Sequence, residues 1–425
     1  MSDIQSFELP GGAVLLVEPV ASVQSVSVVA LVAAGAARDS DDEDGYAAML
    51  GEMLMRGAGA RDSRSLSDAF DALGIRRDVD VQLRHIELSA VMLAPVLREG
   101  LSLLTDVIRR PRLDAEAVEP ARSLCLQALE GIDDDPQSRV MLYLRDRHMP
   151  APLNRHGYGS RSVIERVDVD RLRSAWKRRA TSGGSIIAVA GAVDPEAVAS
   201  HLVEYLDGWA GPECPIAASA PPPRGYLSVE RETAQVHIAM AWDAPREAER
   251  DSVLERLAMT ILGGASSGRL FTEVRVRRGL CYSVSASYRG GRDHGISMVY
   301  AGTTPQRAQE TLSVTLAEMR RLRSGVTREE FDTAQVRLKS RLVMSGESTG
   351  ARAARLASDQ DRLGRPRSLE ELSGAIDDVT LDALNAYLES RVFAQMSLVT
   401  VGPAPLDGSE LDQMDEHVVE SRGIG

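Results

Sequence analysis

At 425 residues the chain is too long for one ordinary core, and a net charge of −13 disfavours nonspecific binding to nucleic acid or an anionic membrane. Hydrophobic residues make up 44% and aromatic residues only 4%, so the cores rest on Leu, Val, Ala and Met. Three cysteines (Cys125, Cys214 and Cys281) lie far apart without a CxxC pair, which argues against a disulfide framework and fits a reducing compartment.

The N-terminus MSDIQSFELP has neither a basic n-region nor an apolar h-region. The longest apolar run falls short of the roughly 20 residues that a spanning helix needs. Both features lead to the expectation of a cytoplasmic protein that contacts no membrane and no nucleic acid.

SVQSVSVVALVAAG (22–35) alternates as a strand does and leads through the acidic run DSDDEDG (39–45), expected to be a solvated loop favouring a helix N-terminus, into GYAAMLGEMLMRGA (45–58). In that helix Ala48, Gly51 and Glu52 share one face, while Tyr46, Leu50, Met53 and Leu54 form an apolar stripe. The polar face is almost blank.

Later segments repeat earlier ones in order. VLREGLSLLTDVIRRPRLDAEAVEPA pairs with RAQETLSVTLAEMRRLRSGVTREEFDTA, taking Leu101 to Leu312, an offset of 211. VDVDRLRSAW pairs with VTLDALNAYL, taking Val167 to Val379, an offset of 212. SIIAVAGAVDP pairs with MSLVTVGPAPL, taking Gly191 to Gly402, again 211.

A nearly constant offset over three element pairs marks a tandem duplication of an α+β unit of about 200 residues. GPECPIAASAPPPRGY, with five prolines and no periodicity, reads as the linker. The expected layout is a first domain over 1–211, a linker over 212–224 and a second domain over 225–425, each a mostly antiparallel sheet with helices packed on one face.

Three stretches carry a family resemblance: the Gly45 helix, SSGRLFTEVRVRRGLCYSVSASY (266–288) and RLVMSGESTGARAARLASD (341–359). The duplicated chain resembles the pitrilysin family, the inverzincins, which includes insulin-degrading enzyme and mitochondrial processing peptidase. Active members carry H-x-x-E-H on the first helix, two His binding zinc and the Glu acting as general base. Laid onto this chain, the His positions fall on Ala48 and Glu52, the base position on Gly51, and the third-ligand position, reckoned back from DDDP (133–136), on Ala128. Ala and Gly offer no coordinating atom, and no H-x-x-x-H pair occurs among the seven histidines. The resemblance therefore implies a helix kept as scaffold, with no metal and no cofactor in this chain.

The second-domain motif keeps its polar residues. In the family an Arg and a Tyr seven residues apart bind the substrate backbone and help polarise the scissile carbonyl, and that spacing selects Arg275 and Tyr282 here. Read from the residues alone, SSGRLFTEVRVRR is a helix ended by Gly279, and YSVSASY is a strand. Arg275 at a helix end also gains from the helix dipole, and a Tyr opening a strand follows β-propensity. His237, in an alternating strand, is expected to be a satisfied core residue.

The resemblance implies a non-catalytic subunit of a heterodimeric zinc peptidase, with Arg275 and Tyr282 serving in trans at the zinc site of a partner chain that acts on peptides. The alternative is a proteolytically silent structural or binding subunit, like the core proteins of a respiratory complex.

Overall fold

The computed structural model describes residues 4–216, 220–264, 266–391, 393 and 395–416. It divides into two compact units, one built from 1–131, 155–219 and 344–368, the other from 132–154, 220–343 and 369–425.

The first unit holds a six-stranded sheet of β1 (Gln5–Glu8), β2 (Val14–Pro19), β3 (Ser25–Val32), β4 (Arg76–Val81), β5 (Ile86–Leu93) and β6 (Ile186–Gly191), in the order β1-β2-β6-β3-β5-β4. Only β2 and β6 pair in parallel; the other neighbours are antiparallel.

The second unit holds β7 (Gly225–Glu230), β8 (Val236–Ala244), β9 (Cys281–Gly290), β10 (Gly295–Thr303) and β11 (Ser397–Gly402), in the order β9-β10-β8-β11-β7. Here β7 and β11 are the parallel pair. Read from the other edge, the order β7-β11-β8-β10-β9 matches β2-β6-β3-β5-β4 element for element. The starts of β3 and β8, at 25 and 236, and of β6 and β11, at 186 and 397, keep the offset of 211. The fold is a duplicated α+β unit.

Alternation explains how each sheet is covered. Along β3, Val26, Val28, Ala30 and Val32 enter the main core with Met49, Leu50, Met53 and Leu54 of α1 (Tyr46–Leu54). Val29 and Leu31 point the other way and join Leu16, Ile186 and Ala188 in a second cluster. In the second unit Ile238, Met240 and Trp242 of β8 enter the main core, and Ala239 and Ala241 the opposite cluster.

The opposite face of each sheet is closed by a helix from the other half of the sequence. α3 (Pro136–His148) follows α2 (Val118–Asp133) and lies in the second unit, where Val140 and Leu144 pack on Ala239, Ala241 and Val399. α7 (Thr349–Leu363) lies in the first unit, where Ala353, Leu356 and Ala357 cover Leu16, Val29 and Leu31. Both helices start on side-chain caps at equivalent positions: Asp135 accepts from the Gln137 amide and Ser348 from the Ala351 amide.

The compact units thus differ from the contiguous spans 1–211 and 225–425. Sequence offsets reveal which elements are related, but not which sheet a helix covers. Helices do pack on one face of each sheet, and a single exchanged helix covers the other.

The linker differs from a plain surface segment. Residues 217–219 of it lie outside the described residues. Its first part is anchored to the first unit: Arg38 donates to the Cys214 carbonyl and to Glu213, and Thr181 to the Pro212 carbonyl.

The acidic run before α1 is likewise more than a solvated loop. Asp39 is buried, accepts from the Gly45 and Ala47 amides and pairs with buried Arg179. Glu43 takes Arg179 and Arg178. These carboxylates fix the start of α1, where Gly45 adopts φ +114°.

Candidate functional site

The first unit brings Ala48, Gly51, Glu52 and Ala128 to one cleft of about 240 Å³. α1 supplies the first three and α2 supplies Ala128. Val79, Asp80 and Val81 of β4, the edge strand of the sheet, form another wall. Within α1, Tyr46, Leu50, Met53 and Leu54 are buried as the apolar stripe predicts, Met49 is buried beside them, and Glu52 is exposed.

These residues do not fit a zinc ion. Three of the four positions carry no donor, and among the described residues no group of three or more His, Cys, Asp or Glu side chains is placed to hold a metal. Cys125 also lines the cleft, but burial, followed by the charge of Glu52, pushes its thiol up to about 12, so it stays protonated.

The base position is closed sterically as well. A Cβ on Gly51 would stand 2.6 Å from Cγ2 of Val81. No step through a metal is assigned to this chain.

In the second unit, the stretch ending at Gly279 is helical but wider than an α-helix. Phe271–Arg277 is a π-helix, a form that recurs at functional sites. It stops as predicted: Gly279 turns to φ +61°, and the Leu280 amide reaches back to the Val274 carbonyl at 2.9 Å. Arg275 emerges exposed, with its guanidinium 4.9 Å from the centre of the Phe271 ring. Among the described residues no carboxylate pairs with it.

Tyr282 sits on β9, the edge strand equivalent to β4. Cys281 pairs with Thr303 and Ser283 with Gly302, so Tyr282 is the extra residue of a β-bulge. Bulges re-aim a side chain out of the regular pleat. The residue is 62% exposed, and its hydroxyl has no hydrogen-bond partner among the described residues. A Tyr that merely favoured a strand would not need a bulge.

His237 is a satisfied core residue, its Nδ1 2.8 Å from the Tyr300 hydroxyl. The π-helix, the bulge and the Val81 wall were not readable from sequence. The bulge depends on which backbone groups pair across strands, the Val81 wall on which side chains meet in the fold, and the π-helix on a hydrogen-bond register with no composition signal of its own; the only local signal is Gly279.

Comparison with known proteins agrees with this architecture. Residues 14–159 match the family model described as insulinase (peptidase family M16), and residues 166–338 match that of the peptidase M16 inactive domain. The chain belongs to peptidase family M16.

An uncharacterized zinc protease of Mycobacterium tuberculosis is 28% identical over 404 residues, covering 93% of this chain and 92% of that protein. Another from Bacillus subtilis is 22% identical over 415 residues, covering 94% and 98%. Among solved structures, the peptidase M16 inactive domain from Pseudomonas fluorescens superposes with a TM-score of 0.86 at 22% identity, covering 95% of this chain and 99% of that one. A chain of complex III2 from Candida albicans gives 0.83 at 16% identity, covering 97% and 99%. These likenesses establish the shared fold. No helix among the described residues is long and apolar enough to cross a membrane.

Proposed function

We propose that the chain is the non-catalytic subunit of a heterodimeric zinc metallopeptidase. Three of the four ligand and base positions of its own cleft carry no donor, and a Cβ at the base position would meet Val81, so hydrolysis belongs to a partner of the same family with an intact H-x-x-E-H. The partner's zinc would polarise the scissile carbonyl and activate water. The contribution of this chain is Arg275 and Tyr282, a guanidinium fork and a phenolic hydroxyl, both donors suited to a peptide carbonyl and a developing oxyanion.

The observation that carries this reading is the outward presentation of both side chains, one from a π-helix and one from a bulge, without carboxylate or hydroxyl partners among the described residues. Such devices are unexpected in a wall with no ligand.

Native mass spectrometry with metal analysis tests the reading. The complex purified from its natural source should contain this chain and one zinc-motif chain, with one zinc per heterodimer and peptide cleavage only when both chains are present. A homodimer or monomer with no such partner would sink the proposal and favour a silent structural subunit.

A further inference from the structure

The second unit contains another pocket, of about 430 Å³, within the size range of ligand sites. It is walled by α4 (Ser252–Gly263) and the turn after it, the π-helix, α5 (Ala308–Arg323) and α6 (Arg328–Gly346).

The floor is a neutral pair. Arg269 is 7% exposed and donates to both Glu330 oxygens, at 2.7 and 2.8 Å, and to the Gly325 carbonyl. Its buried Nη1 has no hydrogen-bond partner among the described residues.

The walls are not neutral. Arg277 bonds Glu273 at 2.6 Å, and Arg321 stands 3.8 Å from the same carboxylate, which Arg278, outside the lining, also bonds at 2.6 Å. Arg321 shares Glu318 as well. Arg337 hydrogen-bonds only to the Ser267 hydroxyl and has no carboxylate partner among the described residues. In a chain of net charge −13, this is a local surplus of guanidinium donors.

One carboxylate, Glu329, lines the same pocket with no ion-pair partner among the described residues. It lies eight positions before Arg337 on α6, a rise of about 12 Å. An extended peptide covers that span in about three to four residues.

We infer that this pocket binds a short peptide by its two charged ends. Arg337, with Arg277 and Arg321, takes the carboxylate, where a planar fork matches two oxygens. Glu329 takes the ammonium and repels dianions. The site differs from Arg275 and Tyr282, and it needs no partner chain.

Isothermal titration calorimetry on the full chain alone decides. The probes are Gly-Ala-Glu with free termini, the uncharged acetyl-Gly-Ala-Gln amide, and inorganic phosphate. The free tripeptide should bind saturably at one site, and the capped one should not bind. Arg337→Ala and Arg321→Ala should each weaken binding about tenfold or more. Arg64→Ala, on an exposed residue of the first unit, should change nothing.

Arg337→Lys keeps the charge and loses the fork, so it should give an intermediate loss even if the alanine variant melts early. The inference is overturned by no saturable binding below about 10 mM, by affinity unchanged in Arg337→Ala, Arg321→Ala and Arg337→Lys, or by phosphate binding as tightly as the peptide. Because the chain is tested without a partner, failure here is separable from failure of the heterodimer proposal.

Discussion

Gly51 is the residue at which a base position without a side chain and close packing meet. A glycine inside a helix normally costs about 1 kcal/mol relative to alanine, so Gly→Ala would ordinarily stabilise the chain. Here the new Cβ meets Val81 at 2.6 Å, and overpacking of this kind costs about 1–3 kcal/mol. Gly51→Ala should therefore lower Tm, and adding Val81→Ala should recover it. A Tm raised by Gly51→Ala alone would show that Val81 yields easily and that the base position is sterically open. A second check uses thiol chemistry. Cys125 and Cys281 are buried, with burial as the leading cause of thiols pushed up to about 12 and about 11, whereas Cys214 is half-buried. Iodoacetamide at pH 8 should label Cys214 first, and equal labelling of all three would contradict the packing. The positions of Arg275 and Tyr282 were picked out in the sequence by an Arg and a Tyr seven residues apart. Their presentation was not, because a bulge exists only relative to the strand it pairs with.

At the scale of elements, the exchanged helices were legible as helices but not as exchanged. Their caps and periodicity are local, whereas the sheet they cover is decided by which apolar face remains open. α7 is tied down by Arg352 and Arg355 on buried Glu18 and by the Thr349 hydroxyl, 2.8 Å from that of Ser27. Leu356, fully buried on the sheet, should cost about 2–5 kcal/mol when replaced by alanine, read as a lowered Tm of the whole chain. A loss under 1 kcal/mol would mean that the helix is only loosely held. The end of α3 carries a pH-dependent clasp: the His148 Nδ1 is 2.9 Å from the Ser397 hydroxyl, and its Nε2 is 3.4 Å from Asp243, which Arg224 grips with both nitrogens. Burial pushes His148 below its ordinary 6.5, against the pull of Asp243. The unfolded chain then binds more protons just below pH 6.5, so stability is present above that pH and is lost as pH falls toward the folded value. Burial opposes the charge of Asp243, but the nearby His148 and the hydrogen bonds and charge of Arg224 prevail and hold its carboxyl well below the usual range. Its contribution is lost only in stronger acid, below about 3.8. Thermal melts should show Tm falling between pH 7 and 5.5, with a shallower fall in His148→Gln. An identical slope in the variant would remove His148 from the account.

For the whole molecule, the duplication was visible as an offset of 211, and the matching strand orders give it a structural form. Since each sheet needs a helix from the other half, residues 1–211 alone should expose Leu16, Val29 and Leu31 and melt without cooperativity. Joining residues 344–368 to that fragment should restore a cooperative transition, and a cooperative melt of 1–211 by itself would contradict the exchange. The central claim is that this chain acts on a partner's substrate through Arg275 and Tyr282. The most direct measurement is kcat of the intact heterodimer carrying Tyr282→Phe, which removes only the hydroxyl. Loss of an oxyanion-type donor costs about 2.7–4 kcal/mol, so kcat should fall about 100- to 1,000-fold with the dimer intact. A wild-type kcat from an undissociated heterodimer would contradict the account.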